Sequence, residues 1–183
     1  MSTALSPQAV LHFWAHVTTP EQWFTKDAQF DRRLTQQFLH TTEAVAQGEC
    51  AHWRHSLHGR LAEIIVLDQF SRNIWRNTPR AFAQDPMALA LAQEALRHPH
   101  FVQLTQRERQ FILMPFMHSE SKKIHDQALG LFEQYTDATT TEYEIRHKVI
   151  IDRFGRYPHR NAILGRASTA AEREFLKGPD SSF

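Results

Sequence analysis

The sequence predicts an all-α protein of about seven to nine helices that stack as antiparallel pairs. No stretch alternates apolar and polar residues with a period of two, whereas apolar residues recur three and four positions apart through most of the chain. Valine and isoleucine, which favour strands, cluster inside these helical patterns. The connectors between the patterns are short, which favours antiparallel neighbours. A length of 183 residues suits one domain, and we assign residues 1–183 to it.

Capping residues mark the first two helices. Ser6 followed by Pro7 is a typical helix start, and Asp27 is placed to cap the second helix. Pro20 prevents the first helix from continuing into the second, and Gly48 is expected to end the second. The apolar residues at helical spacing are Val10, Phe13, Trp14 and Val17 in the first helix, and Phe30, Leu34 and Phe38 in the second.

The central helix covers residues 61–73 and is apolar on nearly every side, which predicts that it is buried. Its second half nevertheless carries Asp68, Gln69, Arg72 and Asn73. Buried ionisable groups destabilise a protein unless they are paired and hydrogen-bonded. Asp68 and Arg72 are four residues apart, so we expect them to pair along one side of this helix.

Helix starts are equally clear in the second half of the chain. Asp85 followed by Pro86 repeats the pattern of a capping residue and a proline. Capping boxes, in which a threonine is followed three residues later by a glutamate, occur at 105–108, 139–142 and 169–172. Pro115 is expected to kink or end the helix that the first box opens, and Gly155 to end the helix that the second box opens.

Composition indicates the compartment and the classes of partner. The single cysteine, Cys50, cannot form an internal disulfide, which fits a reducing compartment. The N-terminus lacks a signal-peptide pattern, and no apolar run reaches the roughly 20 residues of a membrane span. A net charge of +1 gives no bulk affinity for nucleic acid or acidic membranes. We therefore expect a cytoplasmic protein with no nucleic-acid or membrane partner, and the sequence leaves the oligomeric state open.

Two segments are nevertheless basic. Residues 54–80 hold five arginines against two acidic residues, and residues 143–166 hold five arginines and a lysine against two acidic residues. If these segments meet in the fold, they form a positive patch on a nearly neutral protein. Such a patch favours a small anionic ligand or the end of an acidic peptide.

Three polar groups are candidates for a functional site, and the first two lie near helix ends. In the central helix, Asp68 can act as a general base or orient Arg72, and Arg72 can bind a carboxylate or phosphate with two hydrogen bonds. The second group is His118 with Glu120, an acid/base pair that follows Pro115. The alternative for both groups is structural, as hydrogen-bonded pairs that tie helices together.

The third group follows Gly155, in a segment that Pro158 prevents from being helical throughout. Such a polar segment either binds an anion or locks the last helix onto the core. His147 lies on an apolar helical stripe, which favours a hydrogen-bonded core histidine. The polar residues of the third group are Arg156, His159, Arg160 and Asn161.

The sequence predicts no cofactor and no metal site. There are 12 histidines, but none forms a close-spaced ligand motif such as His-Glu-x-x-His. Glycine occurs only six times, and neither a GxGxxG nor a Walker A motif is present.

Four stretches of the chain resemble an uncharacterised bacterial family of conserved proteins of unknown function. They are Leu61–Asn73, Arg80–Asp85, Phe116–Glu120 and Phe154–Arg166. Shorter similarities occur at Val10–Trp14, at Trp23–Phe24 and at the C-terminal Ser182–Phe183. The resemblance implies a tetratricopeptide (TPR)-like fold of stacked helix pairs, and it implies no activity, cofactor or substrate.

The leading hypothesis is a TPR-like binding protein whose polar pocket holds a small anionic ligand or an acidic peptide end. One alternative is an acid/base enzyme of the hydrolase type that uses Asp68, His118, Glu120 and His159. A second alternative is a protein-interaction module, which predicts no pocket beside Asp68. The residues expected to line the pocket are Asp68, Gln69, Arg72, Asn73, His118, Arg156, His159, Arg160 and Asn161.

Overall fold

A computed structural model describes residues 4–179 and 181–182, and these residues form nine helices and no strand. The predicted all-α class and the predicted number of helices are confirmed. The helices are α1 (Pro7–His12, continued by a π-helical turn at Phe13–Val17), α2 (Pro20–Phe24), α3 (Ala28–Ala46), α4 (Leu57–Ile65, continued by a π-helical turn at Val66–Phe70 and a last turn at Ser71–Ile74), α5 (Asp85–Leu96), α6 (Gln106–Met117), α7 (Lys122–Tyr135), α8 (Ala138–Phe154) and α9 (Ala170–Phe175).

Short 3₁₀ turns connect several of these helices, at Ala51–His55, Pro79–Ala81, Phe101–Gln103 and Pro158–Arg160. Consecutive helices pack on one another in the second half of the chain, α5 on α6, α6 on α7 and α7 on α8. None of the helices in the described part of the chain is both long and apolar enough to cross a membrane.

Helix α4 is the buried centre of the fold, as its apolar composition predicts. It contacts α1, α3, α5 and α6. Leu61, Ile64, Leu67 and Phe70 are each at most 1 % exposed. Removing this much apolar surface from water is the main term that stabilises the fold. The polar residues of its second half are therefore fixed in a rigid, packed element.

A second, smaller apolar cluster holds the C-terminal part of the chain. Ile150, Ile151 and Tyr157 form its buried part, and Phe154 and Phe175 pack against it. This cluster joins the end of α8 to α9. It places the 3₁₀ turn at Pro158–Arg160, which carries two candidate site residues, beside the rest of the fold.

Most of the predicted helix starts are confirmed. Ser6, Asp27, Thr105 and Thr169 each accept a hydrogen bond from a backbone N–H in the first turn of their helix. Both Thr105 and Thr169 form complete capping boxes. The helix start at Thr19 was not predicted, and it is a further capping box with Gln22.

Two of the predicted starts are wrong. Helix α8 begins earlier than the box at 139–142 implies, because Asp137 caps it by accepting a hydrogen bond from Thr140 N at 2.8 Å. Asp85 does not cap α5: it lies inside the first turn, and its carboxylate binds arginines instead. Pro115 lies inside α6, which continues for two residues beyond it and ends at Met117.

Candidate functional site

A cleft of about 1300 Å³ opens beside the C-terminal half of α4. Its walls come from α2, α4, α6, α8 and the 3₁₀ turn at Pro158–Arg160. One part of the lining is aromatic or apolar and another part is polar or charged. The apolar part includes Trp23, Phe24, Phe82, Met114, Met117, Tyr143 and Tyr157, and the polar part includes Lys26, Gln69, Arg72, Asn73, Arg76, Arg107, His118, His147, His159 and Arg160.

The π-helical turn of α4 forms the floor of the site. It spans Val66–Phe70 and contains Asp68 and Gln69, both of which are buried. A π-helical turn widens the helix by one residue, and such turns occur frequently at functional sites. Asn73 donates a hydrogen bond to the backbone oxygen of Gln69 at 2.9 Å, which ties the next turn to this one.

Asp68 and His118 form the central contact of the site. His118 Nδ1 lies 2.7 Å from Oδ1 of Asp68. Arg72 Nη1 lies 3.1 Å from the same oxygen, so the predicted pair between Asp68 and Arg72 is present. Gln69 donates a hydrogen bond to the other carboxylate oxygen. The buried carboxylate of Asp68 is therefore bound by two residues of α4, Gln69 and Arg72, and by His118, which directly follows α6.

The contacts keep Asp68 ionised and His118 neutral. Burial opposes ionisation of Asp68, but His118 and Arg72 together hold its pKa well below the ordinary value. Burial, reinforced by the positive charge of Arg72, lowers the pKa of His118. A neutral histidine beside an ionised carboxylate carries its proton on Nδ1, and its Nε2 is then an acceptor.

Asp85 joins both basic segments, although the sequence indicated for it only a capping role. Arg72 donates to its two oxygens at 2.8 and 2.9 Å, and Arg160 donates to Oδ2 at 3.2 Å. Arg160 also donates to the backbone oxygen of His118 at 3.0 Å. Its guanidinium lies 4.6 Å from the ring centres of both Phe82 and Tyr157. The two basic segments therefore meet at a shared carboxylate.

His147 and His159 both line the cleft beside Tyr157. The ring centres of His147 and His159 each lie 5.6 Å from that of Tyr157. Burial and the charges of Arg160 and Lys26 lower the pKa of His159 to about 3. Burial holds the pKa of His147 well below its ordinary value. Nδ1 of His147 lies 2.7 Å from the backbone oxygen of Tyr143, the arrangement expected for a core histidine.

Four of the predicted site residues lie outside the cleft lining. Asp68 is buried beneath it, and the other three hold the C-terminal segment. Glu120 binds Arg166 through both carboxylate oxygens, at 2.6 and 2.9 Å. Arg156 binds Glu172 of α9 at 2.6 and 2.8 Å. Asn161 donates to Ser168 Oγ at 3.0 Å. These contacts match the structural alternative, in which the loop locks the last helix onto the core.

The cationic side chains of the cleft outnumber its carboxylates. Among the described residues that line it, five are cationic, namely Lys26, Arg72, Arg76, Arg107 and Arg160, and one is a carboxylate, Asp137. Arg72 pairs with Asp68 and Asp85, and Arg76 pairs with Asp31; none of these carboxylates is part of the lining. Among the described residues, Lys26 and Arg107 are therefore the cleft cations whose charge no ion pair offsets.

A family of bacterial proteins of unknown function, DUF924, matches residues 10–180 of the chain. The chain belongs to this family. The solved structure of a protein of unknown function from Agrobacterium tumefaciens is similar to this one, with a TM-score of 0.87 and 34 % sequence identity. The similarity covers 94 % of this chain and 97 % of that one. Comparison with curated proteins gives no match.

The stretches of sequence that resemble the family contribute directly to the cleft of this DUF924 protein. Leu61–Asn73 supplies the floor, Phe116–Glu120 supplies His118, and Phe154–Arg166 supplies Tyr157, His159 and Arg160. Ser182 also lines the cleft, and Phe183 lies outside the described residues. Sequence analysis did not name several cleft residues as site residues, among them Lys26, Arg76, Phe82, Arg107 and Tyr157. Lys26 and Arg107 lie outside both basic segments, so charge patterning could not find them.

Proposed function

We propose that the protein binds a small organic anion in the cleft beside α4. The observation that carries this proposal is the charge of the lining, with five cationic side chains against the single carboxylate of Asp137 among the described residues. That carboxylate already caps α8 through the backbone N–H of Thr140. A concave surface lined by one sign of charge attracts ligands of the other sign.

Lys26 and Arg107 are the cations best placed to contact the ligand. Both are exposed, and neither forms an ion pair with a residue that the structure describes. The Arg107 guanidinium lies 4.9 Å from the ring centre of Trp23, which limits its freedom. Arg72 and Arg160, in contrast, donate most of their hydrogen bonds to Asp85 and to backbone oxygens. Because Asp68 and Asp85 offset much of their charge, Lys26 and Arg107 supply most of the attraction for an anion.

The aromatic part of the lining indicates the remainder of the ligand. Trp23, Phe82 and Tyr143 offer ring surfaces, and Phe24 is 60 % exposed at the cleft. Large exposed aromatic surface beside cations suits a molecule with an apolar body and one anionic group. We therefore take aromatic carboxylates as the ligand class. We also propose a cytoplasmic location and a TPR-like stacking of the helix pairs, as the sequence predicts.

Binding is tested with a matched pair of probes, phenylacetate and its uncharged analogue phenylacetamide, by isothermal titration calorimetry. Phenylacetate is expected to bind at least tenfold more tightly, since one charge-assisted hydrogen bond contributes about 1.5–3 kcal/mol. Arg107→Gln and Lys26→Gln are each expected to weaken phenylacetate binding about tenfold. The control is Arg32→Gln, because Arg32 is exposed on α3 and lies outside the cleft.

Equal affinity for the two probes, or no binding of either, would overturn the proposal. The acidic end of a peptide is the alternative source of the anion. A peptide that ends in two glutamates is titrated in parallel. Binding of this peptide without binding of phenylacetate would favour the interaction module over the small-molecule site.

A further inference from the structure

His118 has the hydrogen-bond arrangement of a general base. Its Nδ1 lies 2.7 Å from Oδ1 of Asp68, which is 1 % exposed. Because a carboxylate accepts hydrogen bonds, the ring proton lies on Nδ1 and the lone pair on Nε2. Nε2 has no hydrogen-bond partner among the residues that the structure describes, and His118 lines the cleft. It is therefore the ring nitrogen available to a molecule bound there.

The surroundings hold this pair in one geometry. Gln69 donates to Oδ2 of Asp68, and Arg72 Nη1 lies 3.1 Å from Oδ1. Arg160 donates to the backbone oxygen of His118 at 3.0 Å, which fixes the main chain from which the ring projects. A buried carboxylate on Nδ1 sets the tautomer and stabilises the imidazolium that forms when Nε2 takes a proton. Such a pair needs little reorganisation during a proton transfer.

We propose that His118 is the general base of an ester hydrolysis in the cleft and that Asp68 is its positioning residue. The inference rests on the proposed function, because it requires that the cleft admits an organic ligand. The substrate class is a carboxylic ester with an apolar acid part. The organic anion proposed above is then the carboxylate that the reaction releases.

The reaction begins when Nε2 of His118 takes a proton from a water molecule. One O–H bond breaks, and the hydroxide oxygen bonds to the carbonyl carbon of the ester. The tetrahedral oxyanion collapses, the bond between this carbon and the alcohol oxygen breaks, and the leaving oxygen takes the proton from Nε2. Ester and water become carboxylic acid and alcohol, and His118 returns to its starting form.

The positive charge of the cleft stabilises the oxyanion that forms during ester hydrolysis. Negative charge develops on the carbonyl oxygen in the tetrahedral intermediate. The carboxylic acid that the collapse gives then loses its proton to solvent and becomes the carboxylate. Lys26 and Arg107 line the cleft without an ion pair to a described residue, so the oxyanion forms in a positive potential that exists before the reaction starts. The aromatic residues Trp23 and Phe82 supply a surface for the acid part of the ester.

The test uses 4-nitrophenyl phenylacetate, whose hydrolysis releases the phenylacetate used as the binding probe. The full chain is expected to release 4-nitrophenol faster than buffer does. His118→Asn is expected to lower the rate at least 100-fold, since general-base catalysis contributes about 10²–10⁴-fold. Asparagine keeps an N–H donor near the position of Nδ1, so the contact with Asp68 is retained. The control is His55→Gln, at an exposed histidine outside the cleft, which is expected to keep the wild-type rate.

The role of Asp68 is tested by ¹⁵N NMR of the histidine rings. In the wild type, Nε2 of His118 is expected to give the signal of a nitrogen without a proton. Asp68→Asn is expected to mix the two tautomers and to lower the hydrolysis rate at least tenfold. A wild-type spectrum with the proton on Nε2, or an unchanged rate in His118→Asn, would overturn the inference.

Failure of the inference is distinguishable from failure of the proposed function. If phenylacetate binds and its 4-nitrophenyl ester is hydrolysed no faster than in buffer, the inference is wrong and the binding function stands. If neither occurs, both are wrong.

Discussion

Arg72 and Asp85 form a bidentate ion pair that joins α4 to the first turn of α5. Nη1 lies 2.8 Å from Oδ1 and Nη2 lies 2.9 Å from Oδ2. The side chains are only 18 % and 14 % exposed. Arg160 adds a third hydrogen bond to the same carboxylate, from a side chain that is 6 % exposed. One carboxylate thus holds two largely buried guanidinium groups at the edge of the cleft.

Removal of this carboxylate is expected to destabilise the protein strongly. Asp85→Ala leaves Arg72 and Arg160 buried without a shared partner, which should lower the free energy of unfolding by about 3 kcal/mol. Urea denaturation measures the change. Glu94→Ala is the control, because Glu94 pairs with Arg97 on the exposed face of the same helix, and such pairs contribute about 0–1 kcal/mol. Equal effects of the two substitutions would contradict the prediction.

The stability of the protein is expected to fall in mild acid because of His159. The pKa of His159 is lowered from 6.5 to about 3 in the folded state, first by burial and then by Arg160 and Lys26. The unfolded chain therefore binds a proton that the folded chain does not, and stability is lost as pH falls from 6.5 towards 3. Between pH 7 and pH 5 the loss from this residue should be about 2 kcal/mol.

The contribution of His159 is isolated by comparing the wild type with His159→Gln in urea denaturation at pH 7 and pH 5. The variant should lose about 2 kcal/mol less than the wild type over this interval. His55→Gln, at an exposed site, should behave as the wild type. The same pH dependence in wild type and His159→Gln would show that His159 is not buried in its neutral form.

Gly59 is expected to be sensitive to the addition of a single methyl group. A Cβ atom at this position would lie 1.9 Å from the backbone oxygen of Trp53. Backbone atoms cannot move away cheaply, so Gly59→Ala should lower the unfolding free energy by about 3 kcal/mol. At Gly130, in the interior of α7, a Cβ meets nothing within 4 Å. Gly130→Ala should therefore raise the stability by about 0.5–1 kcal/mol. In thermal unfolding, the Tm should therefore fall in Gly59→Ala and rise in Gly130→Ala.

The start of α8 provides a test of helix capping. Asp137→Ala should lower the unfolding free energy by about 1 kcal/mol, because it removes the side-chain acceptor for Thr140 N. Thr139→Ala should change it by less than about 0.5 kcal/mol, because Thr139 lies within the helix and not at its cap. A larger loss of unfolding free energy in Thr139→Ala than in Asp137→Ala would show that the helix begins at the capping box at 139–142. Both are measured by urea denaturation.

Local patterns predicted most of the helices, although not α2 and not the starts of α5 and α8. The apolar spacing of 61–73 predicted a buried helix, and the structure places α4 at the centre of the core. Ser6, Asp27, Thr105 and Thr169 were identified as helix starts from short-range hydrogen bonding alone. The same reasoning failed at Asp85, because a nearby arginine competes for the carboxylate. A local rule cannot include that partner.

The sequence by itself determined that α4 is buried and that its polar residues need partners, since both follow from the composition of one short segment. It also determined the pair between Asp68 and Arg72, because helix geometry brings residues four apart together. Only the tertiary structure decided which distant side chains complete the site. His118 lies 50 residues from Asp68 in the chain, and Arg160 lies 75 from Asp85. Their contacts depend on how helices pack, and packing is decided by the whole core and not by any local pattern.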